Sequence, residues 1–156
     1  MPANVKPGQV LGVVEIVDRA GGTSDVRQLA TGLEADLTVL PAVMQAAEIL
    51  GLVSVTKEGI KLTEVGSTFL GTPNNKVRLL RDTIANLEPF RTALKLASKI
   101  GSVTSKEISK ALDGSEVRWD YRNDENVSIV NSLMINWSIS AGLFKYKKSG
   151  AFLKLS

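Results

Sequence analysis

The chain has 156 residues, of which 44% are hydrophobic and 22% charged, and it contains no cysteine and no histidine. This composition is ordinary for a folded protein of one large or two small domains. Without thiols or imidazoles the chain lacks disulfides, the usual zinc ligands and the commonest activators of a nucleophile, so we expect no catalytic, cofactor-binding or metal-binding residues. No apolar run approaches the roughly 18 residues that span a membrane, and no leader cleavage pattern is present, so we expect a cytoplasmic protein.

The first half of the chain predicts three helices in succession. Apolar residues recur at helical spacing over residues 8–20, and a pair of glycines ends this first helix. Thr23 or Ser24 is expected to cap the N-terminus of a short second helix. Asp36 is expected to cap a third helix, which covers residues 39–50 and has a buried apolar face.

The end of the third helix begins a motif that occurs twice, ninety-one residues apart. In each copy a long helix ends at a glycine, which tolerates a left-handed backbone, and a strand, a charged turn with another glycine and a second strand follow. The residues concerned are Gly51-Leu52, Gly59 and Leu62 in the first copy and Gly142-Leu143, Gly150 and Leu153 in the second. The pattern predicts a mainly α fold with small β-wings (α+β), built as two tandem winged-helix domains.

Between the two motifs the sequence predicts a domain boundary at Gly71-Thr72-Pro73, after a short helix. The first domain is then 1–72 and the second 73–156. Further helices are expected around residues 79–87 and over residues 90–100, with Pro89 in the break or first turn between them.

The second copy continues with a short helix headed by Thr104 or Ser105 and a long helix over residues 127–141. It carries about eight more residues than the first copy, which we assign to an inserted loop, 113–125. Trp119 and Tyr121 are expected to anchor this loop to the domain; the alternative is that, with Arg118 and Arg122, they form an exposed surface that stacks on nucleic-acid bases. Trp137 is expected in the core.

Positive charge concentrates in the second predicted domain. Residues 1–72 hold 5 basic and 8 acidic residues, whereas residues 73–156 hold 14 and 8. The cations recur every four residues on two predicted helices and cluster at the second wing. They are either an ordinary solvated face or the contact for an acidic protein surface, an anionic lipid or nucleic acid. The candidate contact residues are Arg91, Lys95, Lys99, Lys106, Lys110, Lys145, Lys147 and Lys148.

Winged helices commonly bind DNA through the third helix of the domain, and the sequence argues against that use here. Residues 37–50 contain no lysine or arginine but do contain Glu48, and residues 127–141 are uncharged. Such helices would approach phosphates without electrostatic attraction. Their polar and apolar outer faces suit protein contacts, which include a homodimer.

Several short segments resemble the AAA-associated C-terminal domain family. They are Glu15-Ile16-Val17-Asp18, Gly21-Gly22, Asp25, Leu29-Ala30, Asp36-Leu37, Leu40-Pro41, Ala46-Ala47-Glu48-Ile49-Leu50-Gly51, Leu62-Thr63, Gly66, Asn136-Trp137, Ala141 and Leu143-Phe144-Lys145-Tyr146. The resemblance implies a prokaryotic accessory or regulatory module that contacts the ATPase of a nitrate-, sulfonate- or taurine-type ABC transporter. Two alternatives stay open: a DNA-binding transcriptional regulator that uses the basic second domain, and a module that binds a small ligand between the domains.

Overall fold

The computed structural model describes residues 1–33, 38–71, 74, 76–117, 119, 121 and 126–155. These residues form a mixed α+β structure that is mostly helical and includes two three-stranded antiparallel sheets. The predicted fold class is confirmed at this level. The chain divides into two compact units, Met1–Lys76 and Val77–Ser156. Thr72 and Pro73, at the predicted domain boundary, lie outside the described residues.

The first unit packs its N-terminal helix against the rest of the unit. The elements are α1 (Pro7–Arg19), β1 (Thr23–Ser24), α2 (Val26–Leu33), α3 (Leu40–Ile49), β2 (Val53–Thr56), β3 (Gly59–Leu62) and α4 (Glu64–Gly71). Four valines of α1 are buried, and the helix contacts α2, α3 and β3. The sheet has the order β1-β3-β2, so that β2 lies at an edge.

The second unit begins with an additional helix and then repeats the order of helix, short strand, two helices and hairpin. The elements are α5 (Lys76–Ile84), α6 (Phe90–Ile100), β4 (Ser102–Thr104), α7 (Ser105–Asp113), α8 (Asn126–Leu133), β5 (Phe144–Tyr146) and β6 (Ala151–Lys154). The sheet has the order β4-β6-β5, with the same antiparallel pairing as the first sheet. A π-helical segment, Met134–Ser138, continues α8. Phe90, Trp137 and Phe152 are fully buried in the core of this unit.

Two of the predicted helix caps are within the described residues, and one is correct. Thr104 caps α7: its hydroxyl accepts the Glu107 N–H at 3.2 Å, and the Glu107 carboxylate accepts the Thr104 N–H at 3.3 Å.

The predicted cap of α2 is wrong. Asp25 caps this helix, because its carboxylate accepts the Gln28 N–H at 2.8 Å while the Gln28 side chain accepts the Asp25 N–H at 3.1 Å. Thr23 and Ser24 form β1 instead, paired with β3. The third predicted cap, Asp36, lies outside the described residues.

The predicted helix ends at the two glycines are confirmed. Gly51 and Gly142 have left-handed φ values of 75° and 71°. The N–H of the residue after each glycine donates back into the helix, from Leu52 to the Ala47 carbonyl at 3.0 Å and from Leu143 to the Ser138 carbonyl at 2.9 Å. This pattern closes a helix at a left-handed residue.

The predicted length of the insertion in the second copy is wrong. The caps Asp25 and Thr104 lie seventy-nine residues apart, whereas the two helix-ending glycines lie ninety-one apart. The second copy therefore carries twelve extra residues and not eight. The caps pair Leu29 with Ile108, but the sequence alone also allows Leu29 to be paired with Leu112, and all three side chains are buried.

The two motifs have the same spacing in the sequence, but the second hairpin is one residue longer than the first. The Leu62 N–H donates to the Gly22 carbonyl and the Lys154 N–H donates to the Gly101 carbonyl, each at 2.8 Å. Leu62 therefore corresponds to Lys154 and not to Leu153. The longer turn of the second hairpin contains the additional residue.

Candidate functional site

All eight predicted contact residues are exposed on the second unit. Arg91, Lys95 and Lys99 lie on α6 opposite its buried face, because residues four apart share one side of a helix. Lys106 and Lys110 lie in the same way on α7, which packs against α6. The remaining three belong to the second hairpin: Lys145 on β5, and Lys147 and Lys148 in the turn.

The seven lysines of this set have no ion pair with any described residue. Arg91 differs, since its Nε lies 3.3 Å from Oε1 of Glu88. The other carboxylate oxygen of Glu88 accepts both the N–H and the hydroxyl of Thr92, at 3.2 and 2.6 Å. Glu88 thus partly compensates Arg91 at the start of α6, while the lysines leave their charge available to a partner.

The helix that precedes each hairpin, α3 in the first unit and α8 in the second, presents a partly apolar surface in which Glu48 of α3 is the one charged residue. No lysine or arginine occurs in α3, or in α8 and the π-helical segment after it. The large apolar side chains that remain exposed on or beside these helices are 37% to 42% accessible; they are Val39, Ile49, Val127, Ile135 and Ile139. These faces lack the cations that would bind phosphates.

Trp119 is an anchor of the inserted segment and not a surface for stacking bases. Its side chain is 7% exposed, and its ring meets that of Tyr121 edge to face at a centroid distance of 5.2 Å. The alternative interpretation is therefore wrong for Trp119. Arg118 and Arg122, which belonged to the same interpretation, lie outside the described residues.

Asn126 holds this anchor in place, and sequence reasoning missed it. The fully buried side chain accepts the Trp119 indole N–H at 2.8 Å. Its own N–H₂ group donates to the Asp113 carboxylate at 2.9 Å and to the Ser109 carbonyl at 3.3 Å. The amide thus links the inserted segment to α7. An asparagine near a helix start is usually a cap, so no local signal predicts this burial.

An open cavity of about 570 Å³ lies in the first unit beside the start of α2. Asp25, Glu58 and Lys61 are among its lining residues, so its walls carry both signs of charge. In the part of the chain that the structure describes, no three histidine, cysteine or acidic residues are grouped so that they could hold a metal ion. None of the described helices has the length and hydrophobicity needed to cross a membrane.

In a comparison with protein families, residues 27–147 match the C-terminal AAA-associated domain. The match includes most of both units. Comparisons with curated proteins and with solved structures give no match. Because the family match extends over well more than half of the sequence, the chain belongs to the C-terminal AAA-associated domain family.

Proposed function

We propose that the chain is a non-enzymatic accessory module that regulates the ATPase of an ABC transporter through protein contacts. The observation that carries the proposal is the family match over residues 27–147, because the name of the family supports an ATPase as the partner. The exposed apolar side chains on or beside α3 and α8 support contact with protein. The lysines of the second unit form a positively charged face, which is complementary to an acidic protein surface.

We further propose that each unit is a winged-helix domain. Both units run from a helix through a short strand to two helices and a hairpin, and the short strand pairs with the last strand of the hairpin. This order is that of a helix-turn-helix followed by a wing. The division at Lys76 and Val77 supports two domains.

The test is a binding measurement between the full chain and the purified ATP-binding subunit of a nitrate-, sulfonate- or taurine-type transporter. We expect a complex at micromolar concentration by calorimetry and a changed rate of ATP hydrolysis when the subunit is saturated. No complex at 100-fold higher concentration would reject the proposal. Light scattering on the chain alone tests the predicted homodimer.

A matched pair of variants tests whether α8 makes the contact. Val127→Ser removes an exposed apolar side chain from the first turn of α8, and Val77→Ser removes one from the first turn of α5. If α8 docks, Val127→Ser weakens binding by about fivefold while Val77→Ser leaves it unchanged, because only the first buries apolar area. Unchanged binding of Val127→Ser would exclude the first turn of α8 from the interface.

The lysines without ion pairs favour one alternative, a DNA-binding regulator that uses the second unit. A gel-shift measurement on random duplex at low salt separates the two functions, since phosphate contacts are strongest there. We expect no shift. A shift that Lys147→Gln with Lys148→Gln abolishes would support the DNA-binding function instead.

A further inference from the structure

In each sheet the first strand of the hairpin lies at an edge. In the second unit this strand is β5, since the strand order is β4-β6-β5. The Leu155 N–H donates to the Leu143 carbonyl, and the Lys147 N–H donates to the Ala151 carbonyl. Antiparallel bonds alternate along a strand, so the backbone groups of Phe144 and Tyr146 point away from β6. They form the free edge.

In the first unit a side chain occupies the corresponding edge. Glu48, in the last turn of α3, accepts the outward N–H of Val55 on β2 through its Oε2 at 2.9 Å. The carboxylate stands where the backbone carbonyl of a neighbouring strand would otherwise lie. This edge is therefore closed to a further strand.

The second unit lacks this closure. Ile139 lies at the position that corresponds to Glu48. Each residue lies three positions before the glycine that ends its helix, and its carbonyl accepts the N–H of that glycine. Tyr146 lies at the position that corresponds to Val55, because each is the third residue of the first hairpin strand and lies at the same place in the pairing with the second strand. An isoleucine accepts no hydrogen bond, and among the described residues nothing accepts the Tyr146 N–H. Tyr146 is 45% exposed, so the edge is accessible.

The two hairpins also differ in charge. Residues 142–155 contain four lysines and no acidic residue, whereas the corresponding residues 51–63 contain two lysines and one glutamate. Lys145 lies in the free strand itself, and Lys147 and Lys148 follow it directly in the turn; all three are exposed and without an ion pair to a described residue. The open edge is thus surrounded by positive charge.

We propose that β5 accepts an extended, acidic segment of a partner protein as a fourth strand of the second sheet. The outward N–H and carbonyl of Tyr146 bond to the backbone of the segment, and the hairpin lysines attract its carboxylates. The inference rests on the proposed function, since it names the part of the protein partner that this hairpin would bind.

The direct test uses two synthetic ten-residue peptides with the full chain, one of alternating Glu and Thr and one of alternating Lys and Thr. We expect the Glu peptide to bind, more tightly at low salt, and to slow hydrogen exchange at the Tyr146 amide. The Lys145 amide, which already faces Leu153 in the ladder, should change little. Equal binding of the two peptides, or protection elsewhere than β5, would overturn the proposal.

Ile139→Gln places an acceptor where Glu48 stands in the first unit, without adding charge. We expect it to close the edge and weaken binding of the Glu peptide by about fivefold, the effect of one hydrogen bond. Ile139→Val, which keeps an apolar side chain, is the matched control and should bind as the unaltered chain does. Wild-type affinity of Ile139→Gln would overturn the proposal.

Two measurements keep this test independent of folding and of the proposed function. The double variant Lys147→Gln with Lys148→Gln changes only exposed side chains, so it should weaken binding of the Glu peptide even if Ile139→Gln does not fold. An unchanged affinity of the double variant for this peptide counts against the proposal. If the transporter subunit binds Ile139→Gln as tightly as the unaltered chain, the edge proposal fails while the proposed function stands. If no subunit binds any chain, the proposed function fails, and the peptides still decide the edge.

Discussion

Replacing Asn126 by alanine should destabilise the second unit by about 3 kcal/mol, chiefly because a buried donor without an acceptor costs about 1–3 kcal/mol. The buried amide accepts the Trp119 indole N–H at 2.8 Å and donates to Asp113 and to the Ser109 carbonyl. Alanine removes the acceptor and both donors. The indole N–H then lies in a protein interior without its partner.

Urea denaturation followed by tryptophan fluorescence measures this loss. Both tryptophans, at positions 119 and 137, belong to the unit Val77–Ser156, so the signal reports that unit alone. Asn86→Ala is the matched control: this exposed amide makes one bond, to the Asp82 carbonyl at 3.1 Å, and its removal should cost less than about 0.5 kcal/mol. If the two variants lose the same stability, the linking role of Asn126 is refuted.

Three further substitutions, one of them with a control, test a close packing contact, a helix cap and the edge of β2. Gly66→Ala should destabilise the first unit by several kcal/mol, because its Cβ would overlap the Leu52 carbonyl oxygen, whereas Gly71→Ala on the same helix meets nothing within 4 Å and should be neutral in thermal unfolding. Thr104→Ala should cost about 1 kcal/mol in urea denaturation through the lost cap of α7, and an unchanged midpoint would contradict that role. Glu48→Ala should speed hydrogen exchange at the edge amide of β2 that its carboxylate accepts; unchanged exchange would show that the edge is protected otherwise.

The helices and hairpins were predictable because their signals are local. Pro89 and Gly101 bracket α6, and the predicted range 90–100 matches the observed helix. The short strands β1 and β4 were missed because two or three residues show no alternation, and only pairing with a distant strand forms them. The π-helical turn after α8 was missed for a similar reason, since its sequence continues the apolar pattern of the helix.

The candidate site was predictable only in part. The exposure of Lys95 and Lys110 followed from their place opposite apolar helix faces. The role of Asn126 depends on Trp119, seven residues earlier, and on α7, and that of Glu48 depends on a strand beyond the end of its helix. Such contacts arise from tertiary packing, which no spacing within one element reveals.

The lysines of the second hairpin also bear on how this protein behaves at high concentration. An open strand edge invites pairing with the same edge of another copy, which is a route to aggregation. Here each copy would bring four lysines and no acidic residue between positions 142 and 155. Like charges repel two such edges at low salt, so the hairpin can stay uncovered in a concentrated solution of the protein, and adding salt should promote self-association.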